Sequence, residues 1–114
     1  MTVTVLYNPK CGTCQKVRAA LEAKGHKPIL IEYLKHPPTV QELDSICRKL
    51  DLEPQAIARD KEPVYAAVAA RCKTRQDWLK ALHENPVLIQ RPIVFTEDRA
   101  VIARPPEKLQ DLPL

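Results

Sequence analysis

The apolar and polar positions alternate between two rhythms along the chain. Thr2 to Leu6 is a β-branched and apolar run with no breaker, and it reads as a buried strand. Asn8-Pro9 then turns the chain. From Thr13 the apolar residues Val17, Ala20 and Leu21 recur at helical spacing, Gln15, Lys16, Arg18 and Glu22 take the watered side, and Gly25 stops the helix. Ile29-Leu30-Ile31 is the centre of a second strand reached through that one helix, which implies a parallel pair. After His36-Pro37-Pro38, Thr39 to Glu42 has the form of a capping box for a helix with Val40, Leu43, Ile46, Cys47 and Leu50 inward. Short helices are expected over Pro54 to Ala58, with Arg59 just past it, and over the alanine-rich Val64 to Cys72. Thr74 to Asp77 caps a further helix carrying Trp78, Leu79 and Leu82. Arg91-Pro92 leads into an apolar strand, Glu97-Asp98-Arg99 turns it, and Ala100 to Ala103 returns as a hairpin arm. Arg104-Pro105-Pro106 opens a last short helix through Leu109. Cys47 and Cys72 fall on helical positions that need only a small buried residue.

Composition narrows the class. With 114 residues, 45% of them apolar, the chain has material for one domain, residues 1–114. One Trp, three Tyr and one Phe make its core mainly aliphatic. The net charge of +4 weakly favours anionic partners, but the basic residues are scattered without aromatics between them, so no nucleic-acid surface is expected. The N-terminus lacks a basic segment followed by an apolar run, and no stretch is long enough to span a membrane. The expected setting is the cytoplasm, where the four cysteines stay reduced and a C-x-x-C points to redox chemistry or metal.

That motif, Cys11-Gly12-Thr13-Cys14, organises the chain. Cys11 falls where the first strand gives way to the first helix, and free N–H groups at a helix start favour a thiolate and attract anions. Cys11 is therefore the candidate nucleophile, and an oxyanion its candidate substrate. A zinc site from Cys11, Cys14, His26 and His36 is disfavoured, because nine residues separate the histidines. A phosphatase-type loop would need arginine six residues after the cysteine, where Val17 stands. The order β-α-β, helices, β-β-α is that of an α/β, thioredoxin-like domain, a four-stranded mixed sheet with an all-helical insertion over about 39–85.

Five landmarks occur in order. They are Asn8-Pro9-Lys10-Cys11-Gly12-Thr13; Tyr33-Leu34 with Pro37-Pro38; Arg59 with Glu62-Pro63; Asn85-Pro86 with Arg91-Pro92-Ile93-Val94; and Arg104-Pro105. Together they resemble the glutaredoxin-coupled arsenate reductase family over almost the whole chain. The resemblance implies a thioredoxin-like fold, a cis bond before Pro92, Cys11 as the catalytic thiol, and Arg59, Arg91 and Arg104 as oxyanion ligands. Asn8, Gly12, Thr13 and Pro92 would support them. It also implies arsenate as substrate, glutathione and glutaredoxin as reductants, and no bound metal or organic cofactor. Guanidinium groups suit this task because they pair with tetrahedral oxyanions and stay charged at working pH.

Two positions depart from the family. Tyr7 stands where its well-studied members carry histidine, and Cys14 adds a second thiol that could resolve an oxidised Cys11 internally, with thioredoxin or glutaredoxin reducing the pair. Two other readings stay open: a general thiol-disulfide oxidoreductase using Cys11 and Cys14, and a redox-sensing regulator that binds RNA polymerase.

Overall fold

The computed structural model describes residues 2–114, and the chain divides into two compact units. The first combines the segment up to His36 with Arg91–Leu114. Its sheet runs in the order β2-β1-β3-β4, from β1 (Thr4–Tyr7), β2 (Ile29–Glu32), β3 (Ile93–Phe95) and β4 (Ala100–Ile102). β1 pairs parallel with β2, Tyr7 opposite Glu32, and antiparallel with β3, Thr4 opposite Phe95. β3 and β4 form the expected antiparallel hairpin. As a central strand β1 is buried at all four positions, which is why it reads as a continuous apolar run. It starts two residues later and ends one residue later than the sequence pattern suggests. Thr2 is exposed and gives its N–H to Glu97 Oε1, while Tyr7 still pairs in the ladder.

One helix, α1 (Gly12–Ala23), packs on this sheet. Its buried stripe is Cys14, Val17 and Leu21; Ala20, expected inside, is exposed because the 3.6-residue turn carries it off that stripe. Gly25 ends the helix at φ 87°, with its N–H donating to the Glu22 carbonyl and the His26 N–H to that of Leu21, the two bonds of a Schellman ending. The core beneath α1 is aliphatic. Val5 and Tyr7 on one face of β1, with Val3 just before it, meet Val17, Leu21, Val94, Ala103, Leu109 and Leu112. Leu109 comes from a closing 3-10 helix, Pro106–Asp111, which extends past the expected end, and Leu112 is its C-cap.

The second unit, Pro37–Gln90, is helical. α2 (Val40–Leu50) and α4 (Arg75–Glu84) both open with formed capping boxes, Thr39 with Glu42 and Thr74 with Asp77, as the sequence signals. α3 (Tyr65–Arg71) is shorter than its alanine-rich segment, and buries only Val68. Arg75 ties α4 to α2 and its following loop through Asp44 at 2.8 Å and Glu53 at 2.9 Å. Pro54–Ile57 and Pro86–Leu88 are 3-10 turns. No helix among the described residues is long and apolar enough to cross a membrane.

The weight of these interactions can be ranked. Leu21 is fully buried, and Leu21→Ala should cost about 2–5 kcal/mol by leaving a cavity, against about 1 kcal/mol for Thr39→Ala, which loses one exposed cap. Urea unfolding of the two variants measures both; equal losses would mean that the sheet-side core is not the dominant support.

Candidate active site

The site begins with backbone. Where β1 ends, Pro9 sits second in a tight turn closed by the Cys11 N–H on the Asn8 carbonyl, 3.0 Å, while Asn8 Oδ1 accepts from the Lys10 N–H, also 3.0 Å. Gln15 Nε2 reaches back to the Pro9 carbonyl at 2.6 Å and fastens the turn to the helix. Cys11 then occupies the N-cap of α1, in extended conformation, with Gly12, Thr13 and Cys14 as the first three helical residues. No acidic side chain lies in that first turn to offset the positive end of the helix. Gly12 is exposed, and a Cβ built there would meet nothing within 4 Å, so the space above the helix start is open.

Both sulfurs are buried, Cys11 at 8% exposure and Cys14 at 0%, yet they ionise very differently. For Cys11 burial acts upward. It is outweighed by the N–H and thiol of Cys14 and by the guanidinium of Arg91, as hydrogen bond and as charge, and the pKa falls to about 7. The Cys14 N–H points at the sulfur without completing an N-cap hydrogen bond, so this is a pull by an oriented dipole more than a closed cap. Cys14 goes the other way, to about 11, from burial and the neighbouring Cys11, against the Asn8 N–H and Arg91, which favour its thiolate. Cys11 is the thiol that ionises first.

Two of the three arginines expected from the sequence come together here. Arg91 is half-buried beside both sulfurs, and its Nε is buried with no hydrogen-bond partner, an unspent donor next to a thiolate. Arg104 is exposed; its Nη1 lies 4.0 Å from Cys11 Sγ, the outer limit of a sulfur contact, and 3.4 Å from the Arg91 carbonyl. The peptide bonds Arg91-Pro92 and Arg104-Pro105 are both cis. The first is the one expected; the second was not anticipated. Arg59 belongs to the helical unit, where its N–H donates to the Leu88 carbonyl and its Nη1 pairs with Glu62 Oε1 at 2.7 Å. Thr13 is half-buried in the first turn, and Pro92 is buried at the entry to β3. Tyr7 is buried in the core, with the Arg18 guanidinium 6.0 Å above its ring.

One residue was quoted in the sequence but given no role. Tyr33 is fully buried, and its hydroxyl faces Arg91, with burial chiefly holding its pKa up to about 12 so that it stays neutral. Its signal was positional: it follows Glu32, which pairs with Tyr7, so it leaves the sheet at the same strand ends as the cysteine turn. Among the described residues no three of His, Cys, Asp and Glu gather as a metal-holding group. What the cluster can do is present a thiolate, flanked by guanidinium donors, to an anion.

A thiolate at the N-cap that follows the first strand of a β-α-β, β-β sheet defines an α/β, thioredoxin-like thiol protein. The sequence pattern of the ArsC family matches residues 6–112, and the chain belongs to that family. It is 34% identical to an arsenate reductase of Rhizobium meliloti over 98% of this chain and 81% of that one, and 35% identical to one of Haemophilus influenzae over 98% and 99%. The solved arsenate reductase from Vibrio cholerae superposes with a TM-score of 0.92 at 34% identity, covering 99% of this chain and 98% of that one. The protein is thus an arsenate reductase-like thiol oxidoreductase.

The pKa order gives a direct test. Because the reactive form is the thiolate, alkylation of Cys11 by iodoacetamide should rise with pH to half its maximum near pH 7, while Cys14 stays unmodified there. Arg91→Ala should move the Cys11 midpoint upward by about one pH unit, the equivalent of about 1.4 kcal/mol of lost thiolate stabilisation. A midpoint indifferent to Arg91 would assign the lowered pKa to the N–H and thiol of Cys14.

Proposed function

We propose that the Cys11 thiolate attacks the arsenic of arsenate while Arg91 and Arg104 neutralise its oxygens. The observation that carries this is the buried, unpartnered Nε of Arg91 beside a thiol whose pKa is about 7. A buried donor without an acceptor costs roughly 1–3 kcal/mol, which an oxyanion's oxygen would recover. The chemistry follows. The thiolate displaces water or hydroxide from arsenate and forms a Cys11–S–As(V) ester. Glutathione attacks the ester sulfur, the As–S bond pair passes to arsenic, arsenite leaves as As(III), and a Cys11–glutathione disulfide remains. Glutaredoxin reduces that disulfide. No bound metal or organic cofactor takes part, and the reaction belongs in the cytoplasm, where a glutathione pool is available.

Arg59 enters this proposal through the family resemblance, as a third oxyanion ligand. Its pairing with Glu62 at 2.7 Å means that its guanidinium would have to share or exchange that carboxylate for substrate. Asn8 and Pro92 serve by shaping the two backbone segments that carry Cys11 and Arg91, and the Thr13 N–H lies in the unpaired first turn that favours an anion.

The test is arsenite production from arsenate with glutathione and glutaredoxin. Cys11→Ser should abolish it, and Arg91→Ala should lower kcat/KM by about 10²–10³, the usual loss for one oxyanion donor. Absence of turnover with any thiol reductant would remove arsenate as the substrate and leave a thiol protein of other specificity.

A further inference from the structure

We infer that Cys14 is an internal reductant of the Cys11 adduct, so that this chain can release arsenite without an external thiol and close a Cys11–Cys14 disulfide instead. This rests on the proposed arsenate ester and deepens it. Cys11 is the extended N-cap of α1 and Cys14 its third residue; both lie in one buried cluster and their thiols are close enough to hydrogen-bond, so a small movement brings them to the Cβ separation of a disulfide, about 3.5–4.5 Å. Cys14 is fully buried behind a Cys11 that retains some exposure. The sulfur of Cys14 therefore faces the one electrophile that forms beside it, the sulfur of an esterified Cys11. The outer position of Cys11 leaves the resulting disulfide open to attack by a dithiol protein at that sulfur.

The balance is complete within the chain. Cys14 sulfur bonds to Cys11 sulfur, the As–S bond breaks with its electron pair staying on arsenic, and As(V) becomes As(III). Both sulfurs are oxidised to the disulfide, and the Cys14 proton passes to the departing arsenite oxygen. The first step also prepares the second. While Cys11 is a thiolate, it is one of the groups that keeps Cys14 protonated; once its sulfur is bound to arsenic that charge is gone, whereas Arg91 and the Asn8 N–H, which favour a Cys14 thiolate, remain. Cys14 is thus held silent until Cys11 has reacted.

The experiment mixes fully reduced, thiol-free protein with arsenate and measures released arsenite, free thiols and intact mass. The wild type should release about one arsenite per chain, lose two of its four thiols, and be about two mass units lighter, with a peptide linking Cys11 to Cys14. Cys14→Ala should release less than about a tenth of that, whereas Cys47→Ala, altered in the helical unit, should match the wild type. Circular dichroism shows whether each variant is folded, and the wild-type thiol count tests the inference even where Cys14→Ala is not. Wild-type turnover with glutathione and glutaredoxin but no thiol-free release would overturn this inference and leave the arsenate reductase reading standing. No arsenite under either condition would overturn both.

Discussion

Everything at the reactive end of this protein depends on one backbone handover, from the buried central strand β1 to the N-cap of α1 in four residues. Tyr7 is the last paired residue of the strand, Asn8 closes the turn on the Cys11 N–H, and Cys11 begins the helix. Because β1 is hydrogen-bonded on both sides and buried along its length, its end is fixed, and so is the sulfur four residues later. Cys11, Cys14 and Tyr7 belong to the same apolar cluster as Val5, Val17 and Leu21. The Cys11 thiol is therefore held by the core itself.

Burial gives the site its second property, a strong division between two otherwise similar thiols. In water they would titrate together. Here each is desolvated, and what separates them is which donors face which sulfur: Arg91 and the Cys14 dipole act on Cys11, and the resulting negative charge weighs on Cys14. Arg104 lies farther out, its Nη1 4.0 Å from the Cys11 sulfur and bonded to the Arg91 carbonyl at 3.4 Å.

Much of this was legible because local chemistry and tertiary structure agree. The capping boxes at Thr39 and Thr74, the stop at Gly25 and the hairpin after Arg99 are governed by side chains within a few residues, and each lies where its signal stands. The placement of Cys11 followed from its position between two such signals. Less was legible where distant residues decide. Ala20 fits a helical spacing but turns outward, while Cys14, read first as a chemical residue, fills the core. Tyr33 looks like any strand-end tyrosine until β2 is laid beside β1 and its hydroxyl meets Arg91. Arg91 and Arg104 were singled out by the family resemblance, each standing before a proline, and the structure adds which of their donor atoms have partners and which do not.

Gly12 carries a consequence of a different kind. Its backbone is ordinary helix and not the left-handed region, and an added Cβ would touch nothing, so neither conformation nor packing in this chain demands glycine there. An alanine at 12 would be neutral for the fold by this geometry and would improve the helix by up to about 1 kcal/mol. The bare backbone at that position therefore leaves the approach to the start of α1 uncovered, one residue from the Cys11 sulfur.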